Sequence, residues 1–303
     1  MKNCFYVLLL VLCLKILPVH AQSPPPLVSW QDLMQLPAPT TGVKIQYGPD
    51  SLQFGELRVP ATGQGPFPVV VVIHGGCWLS QYNYAYMNHL SAALTKAGYA
   101  TWNVEFRRVG NLGGGWPGTF LDVGKAIDYV PALAKNYPLN KKQVVVLGHS
   151  AGGHLALWAA TRQKLPKSSP LYAQNPLKIT GVVSLAGITD LVGYSQEKGS
   201  CNAAVEKLMG GLPSAVPERY ADGSPLGRIP VKVPVRLLQG ALDPIVPVQQ
   251  AEQLAAYSSN KNYRVQTVLL PFAGHFDLVA PTSPAWLTVE KAVREVGQAA
   301  ARN

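Results

Sequence analysis

Charge is scarce in this chain. Only 14% of its 303 residues are charged, and Asp and Glu number 16 against 26 Lys and Arg. A chain that is also 48% hydrophobic is not of the disordered class and has material for one large core. The formal charge of +10 raises nucleic acid, acidic polysaccharide or a membrane surface as partners. No Lys/Arg block or basic helix concentrates that charge, so the expectation is an evenly basic surface and no nucleic-acid partner. Repeats and low-complexity tracts are absent. So are metal-ligand clusters, a phosphate loop and a dinucleotide fingerprint, and no cofactor or metal is expected. Long apolar runs are missing too. The stretch 4–14 falls short of the roughly 20 residues that a membrane span needs, so no stable membrane insertion is expected.

That stretch reads instead as the core of a signal peptide over residues 1–21. Lys2 supplies the basic start, and Val19-His20-Ala21 resembles a small-residue cleavage site before Gln22. Export to the periplasm or the extracellular space is therefore expected, with a retained anchor as the alternative. Cysteine is sparse, with 4 in all, and cleavage would leave Cys77 and Cys201. These two fit either a disulfide in an oxidising compartment or a pair of free thiols. Nothing in the pattern sets an oligomeric state.

Residues 22–45 are rich in proline and read as an extended lead-in to a single catalytic domain over 46–303. Within it, apolar runs alternate with helical patterns. Strands are predicted over 52–59 (an antiparallel edge), 69–73, 99–105, 143–147, 179–185, 235–239 and 264–270. Helices are predicted over 83–96, 119–136, 153–162, 248–258 and 284–301, with Pro131 set to kink the second. This alternation means an α/β fold with a mostly parallel sheet covered on both faces. Residues 190–233 break the rhythm, with one helical piece over 202–209. They read as a cap-like insertion over the carboxyl edge of the sheet, where ligands of such folds bind.

Gly148-His149-Ser150-Ala151-Gly152 joins a predicted strand to a predicted helix, the setting in which Gly-x-Ser-x-Gly presents a nucleophile. A serine hydroxyl needs a base, a partner to orient that base, and donors for the oxyanion that forms. His275, in a Gly-containing loop after the last strand, is the expected base, ahead of His149, His154 and His89, which read as packed or solvated. Asp243 follows strand 235–239 and is the expected orienting acid, with Asp190 as runner-up. Asp277 is too near His275 in sequence to orient it. The expected oxyanion donors are the backbone N–H groups of Gly76 and Cys77, after strand 69–73, and of Ala151 in the elbow. His74 then holds that loop by hydrogen bonding, and Glu105 with Arg107 reads as a charge pair fixing the loop after its strand. Trp78, Trp116 and Tyr194 are candidates to stack on an aromatic acyl group, against the commoner fate of burial.

With His74-Gly75-Gly76-Cys77-Trp78, Glu105-Phe106-Arg107-Arg108, Gly113-Gly114-Gly115-Trp116-Pro117-Gly118 and the elbow, the sequence resembles the α/β-hydrolase superfamily. Within it, the chain is similar to the secreted carboxylesterase branch, related to kynurenine formamidases, hormone-sensitive-lipase-like esterases and feruloyl or acetylxylan esterases. The resemblance implies a triad of Ser150, Asp243 and His275. It also implies hydrolysis of small-molecule or polysaccharide-linked esters through an acyl-enzyme. An arylformamide or short-peptide substrate is the alternative, and a non-catalytic binding protein on the same fold is a third reading, disfavoured by a complete set of reacting groups.

Overall fold

The seven predicted strands and one unpredicted strand form a single sheet in a computed structural model that describes residues 26–229, 233–259 and 264–298. The expected signal peptide, 1–21, lies outside the described residues. The strands are β1 (Val43–Gln46), β2 (Phe54–Arg58), β3 (Phe67–Ile73), β4 (Ala100–Val104), β5 (Leu139–His149), β6 (Gly181–Leu185), β7 (Val235–Gly240) and β8 (Val265–Leu270). Their spatial order is β1-β2-β4-β3-β5-β6-β7-β8. β2 runs antiparallel to both β1 and β4, and the rest pair in parallel.

Side chains alternate across a strand, so the unbroken apolar run of β3 serves two cores. Val69, Val71 and Ile73 pack on one face with Phe120 and Val123 of helix Gly118–Asp128 and Leu155 and Trp158 of helix Ala151–Thr161. Val70 and Val72 pack on the other with Leu90 and Leu94 of helix Asn88–Lys96 and Val289 and Val293 of helix Trp286–Gln298. Two covered faces on a mostly parallel sheet are the expected α/β-hydrolase arrangement. His74, Glu105, Ser150, Asp243 and His275 all follow carboxyl ends of parallel strands, and so lie along one edge of the sheet.

Several expectations need correction. The 52–59 run is not the sheet edge: β2 is buried over four of its five residues, and the short, mostly exposed β1 lies outside it. The helix expected over 119–136 divides into Gly118–Asp128 and Val130–Leu133, where Pro131 cannot donate a backbone hydrogen bond. The insertion 190–233 carries three helices, Leu191–Gln196, Ser200–Met209 and Pro217–Gly223, rather than one. The lead-in is not wholly extended. Ser29 and Asp32 form a capping box that starts helix Trp30–Gln35, and Leu33 anchors it in the second core. The last helix ends its described part at Gln298, and 299–301 fall outside.

Candidate active site

β5 ends at His149 and the next helix begins at Ala151, so the whole strand-to-helix reversal falls on Ser150. It takes φ 56° and ψ −121°. The flanking glycines are required by space. A Cβ on Gly148 would lie 2.0 Å from the Gly152 carbonyl oxygen, and one on Gly152 would lie 2.1 Å from that of Ile73. Among the described residues, four non-glycine residues have positive φ: Cys77, Trp78, Ser150 and Ala186. Three of them belong to the elbow or the loop expected to face it. Each such conformation costs about 1–3 kcal/mol and persists only where surrounding packing enforces it.

His275 and Asp243 meet as expected. Asp243 Oδ2 accepts from His275 Nδ1 at 2.7 Å, with the carboxylate fully buried. The same oxygen accepts from Gln239 Nε2 at 3.2 Å, and Oδ1 accepts the backbone N–H groups of Ile245 (2.8 Å) and Val246 (2.9 Å). Four donors therefore fix the carboxylate, and Nδ1 is committed to it, which leaves Nε2 as the nitrogen available for proton transfer. The His275 carbonyl accepts from His149 Nε2 at 3.0 Å, and the two rings lie 4.4 Å apart, which sets the His275 loop against the elbow. Asp277 steadies that loop from behind by accepting from Gly274 N–H (2.9 Å) and Val28 N–H (3.2 Å). Asp190, the runner-up acid, caps helix Leu191–Gln196 by accepting from Val192 N–H at 3.0 Å.

The Gly75-Gly76-Cys77 loop crosses the elbow so closely that a Cβ on Gly75 would lie 2.9 Å from Ser150 Cβ. His74 shapes it, donating from Nδ1 to the Gly75 carbonyl at 2.8 Å and from Nε2 to Glu105 Oε1 at 3.0 Å. The peptide that carries this carbonyl is planar and trans, so the Gly76 N–H points the opposite way, off the His74 ring. Among the described residues, the N–H groups of Gly76 and Cys77 donate to no backbone carbonyl. That of Ala151 is at a helix start, where no intrahelical partner exists. Cys77 is disulfide-bonded to Cys201, which ties the loop to helix Ser200–Met209 of the insertion.

The Glu105–Arg107 pair does not form. Glu105 is bonded to His74 and to Arg108 at 2.8 Å, while Arg107 grips Asp122 with two bonds of 2.8 and 2.7 Å. Burial alone would raise the Glu105 carboxyl, but the adjacent His74 and Arg108 hold it below its ordinary range. Trp78 and Tyr194 are buried and hydrogen-bonded, to His154 Nδ1 at 3.2 Å and to the Ile245 carbonyl at 3.1 Å, and so are committed to packing. His154 also donates from Nε2 to the Gly223 carbonyl at 2.9 Å. Burial pushes this imidazole down to about 4, partly offset by that bond. A cavity of ≈ 300 Å³ opens beside the site between Asp243 and Pro244 on one side and Cys201 and Asn202 on the other.

Residues 56–257 match the BD-FAE family. The chain belongs to that family. Among curated proteins it is 28% identical over 242 residues to the probable carboxylic ester hydrolase LipM of Mycobacterium tuberculosis, a match that covers 77% of this chain and 55% of that protein. Esterase LipC of the same organism is 28% identical over 259 residues, covering 80% and 62%. The chain thus spans a little over half the length of these relatives. Among solved structures, a truncated carbohydrate esterase from gut microbiota superimposes with a TM-score of 0.74 at 22% identity, covering 86% of this chain and 97% of that one. Esterase B of Lactobacillus rhamnosis gives 0.72 at 20%, covering 87% and 85%. This BD-FAE chain therefore shares the α/β-hydrolase fold of those enzymes.

Tyr86 and Gln239 are polar partners of the site that the sequence reading passed over. Tyr86 sits in a short 3₁₀ turn with no motif around it, and Gln239 reads as the last residue of a strand.

Proposed function

We propose that this chain is an exported serine hydrolase of carboxylic esters. Ser150 attacks the ester carbonyl while His275 Nε2 takes its proton. Asp243 holds the imidazole in the tautomer with Nδ1–H and stabilises the imidazolium that forms. The N–H groups of Gly76, Cys77 and Ala151 receive the oxyanion, where the loss of one donor typically costs about 2.7–4 kcal/mol of transition-state stabilisation. The imidazolium then protonates the leaving alcohol, and water activated by the same histidine releases the acyl group from Ser150.

The observation that carries this reading is the Asp243–His275 contact of 2.7 Å on a loop bonded to the elbow itself. The names of the mycobacterial relatives support ester chemistry. The Cys77–Cys201 disulfide supports export, since such bonds persist in oxidising compartments. The proposed substrates are acetyl or feruloyl esters of polysaccharides. With Trp78 and Tyr194 committed to packing, only Trp116 of the three aromatic candidates stays partly exposed, which favours the acetyl group.

Hydrolysis of p-nitrophenyl acetate by the wild type and by Ser150→Ala tests the proposal. The expected result is a loss of at least about 10³-fold in the variant with the fold intact by circular dichroism. Full residual activity in the variant would refute it. Acetylxylan, methyl ferulate, N-formylkynurenine and a dipeptide p-nitroanilide, assayed side by side, then rank the acyl classes, with acetylxylan expected to lead.

A further inference from the structure

His149, the residue between Gly148 and Ser150, lies in a buried chain of hydrogen bonds that joins three loops. The Gly75 N–H donates to the Tyr86 hydroxyl at 2.5 Å, and that hydroxyl lies 3.0 Å from His149 Nδ1. His149 Nε2 lies 3.0 Å from the His275 carbonyl. Chemistry fixes the direction of the two outer links. A backbone N–H can only donate, so the Tyr86 oxygen accepts from Gly75, and a neutral His149 with its proton on Nε2 accepts the Tyr86 O–H at Nδ1. A carbonyl can only accept, so the His149 proton resides on Nε2. This arrangement needs a neutral His149 and an un-ionised Tyr86. Burial and the neighbouring His275 hold His149 well below the ordinary imidazole range, and burial raises Tyr86. Trp30 of the lead-in helix packs against the chain, with its ring 5.3 Å from that of Tyr86 and 5.5 Å from that of Phe276, and Tyr86 and His149 are both buried.

We infer that Tyr86 and His149 are positioning residues: a relay that holds the oxyanion-side loop and the His275 loop in one fixed relation to Ser150. The inference rests on the serine-hydrolase reading. Both loops must keep their place while the Ser150 oxygen passes from hydroxyl to acyl-enzyme, and each hangs by a backbone group on one end of the relay. A neutral His149 also spares the imidazolium that forms on His275 a like charge 4.4 Å away.

The test uses His149→Leu, His149→Gln and Tyr86→Phe in the full chain. kcat and KM for p-nitrophenyl acetate are measured per site titrated by a fluorophosphonate. Leu, which removes both links, is expected to lower kcat about 30-fold with KM within about threefold, since misplacement by an ångström can cost about 100-fold. Gln can place its amide where Nε2 lies and donate to the His275 carbonyl. It is expected to recover at least about fivefold of that loss. Tyr86→Phe, nearly isosteric, is expected to lower kcat about tenfold and decides the matter alone if His149→Leu does not fold. Wild-type kcat per titrated site in the Phe variant would overturn the relay. So would a loss confined to KM or to the number of titratable sites, and Gln no better than Leu would do the same. Activity surviving Ser150→Ala would instead overturn the serine reading, which keeps the two failures apart.

Discussion

His149 lies inside the elbow motif and His154 just after it, and both read from the sequence as packed or solvated. Both are buried, and each bridges elements distant in sequence. For His154 the consequence can be measured. Its folded-state value near 4 lies below the 6.5 of an unfolded imidazole, so between those values the unfolded chain binds the extra proton. The stability this residue contributes is therefore complete above pH 6.5 and is lost as pH falls toward 4, up to about 3 kcal/mol. Urea unfolding followed from pH 7 to 4.5 should show stability falling with pH, and His154→Gln should flatten that slope. An unchanged slope in the variant would remove His154 as its source. The Asp243–His275 contact was legible because an acid after one strand and a histidine after the next keep a fixed chain order behind a serine elbow. Tyr86 was not, because its role depends on a Gly75 N–H and a His149 ring that only the fold brings beside it.

At the level of elements, apolar periodicity was legible wherever burial was complete. β3, β6 and β7 lie close to the predicted runs, because a strand covered on both faces is largely apolar, whereas β5 starts four residues before its run, in the mostly polar, partly exposed stretch 139–142. β1 escapes the pattern because an exposed edge strand imposes none, and two of the three cap helices, Leu191–Gln196 and Pro217–Gly223, because Gly and Pro punctuate them. The Glu105 and Arg107 partners were misassigned since two residues apart on an extended chain point the same way, whereas the loop after β4 turns Arg108 back onto Glu105. The two cysteines left a disulfide and free thiols both open, because a separation of 124 residues says nothing of proximity. Their bond joins the Gly76-Cys77 loop to helix Ser200–Met209, and Cys201→Ser should lower stability by about 2–4 kcal/mol in urea unfolding. A change below about 0.5 kcal/mol would show that the cap and the loop hold together without the cross-link.

Among the described residues, the four non-glycine residues with positive φ, Cys77, Trp78, Ser150 and Ala186, all follow carboxyl ends of parallel strands, along one edge of an otherwise regular sheet. The apolar layers on both faces supply the packing that holds Cys77, Trp78 and Ser150 in left-handed conformations. From that edge the insertion is tied back by the disulfide and by the Gly223 carbonyl on His154, while the lead-in is tied by Val28 to Asp277. In the proposed reaction this edge makes a single hydroxyl, that of Ser150, nucleophilic. Incubation with a fluorophosphonate, followed by peptide mass spectrometry, tests it most directly. One equivalent of adduct on Ser150, absent from Ser150→Ala and from His275→Ala, is the expected result. An adduct on another residue, or an unlabelled Ser150 in the folded wild type, would contradict it.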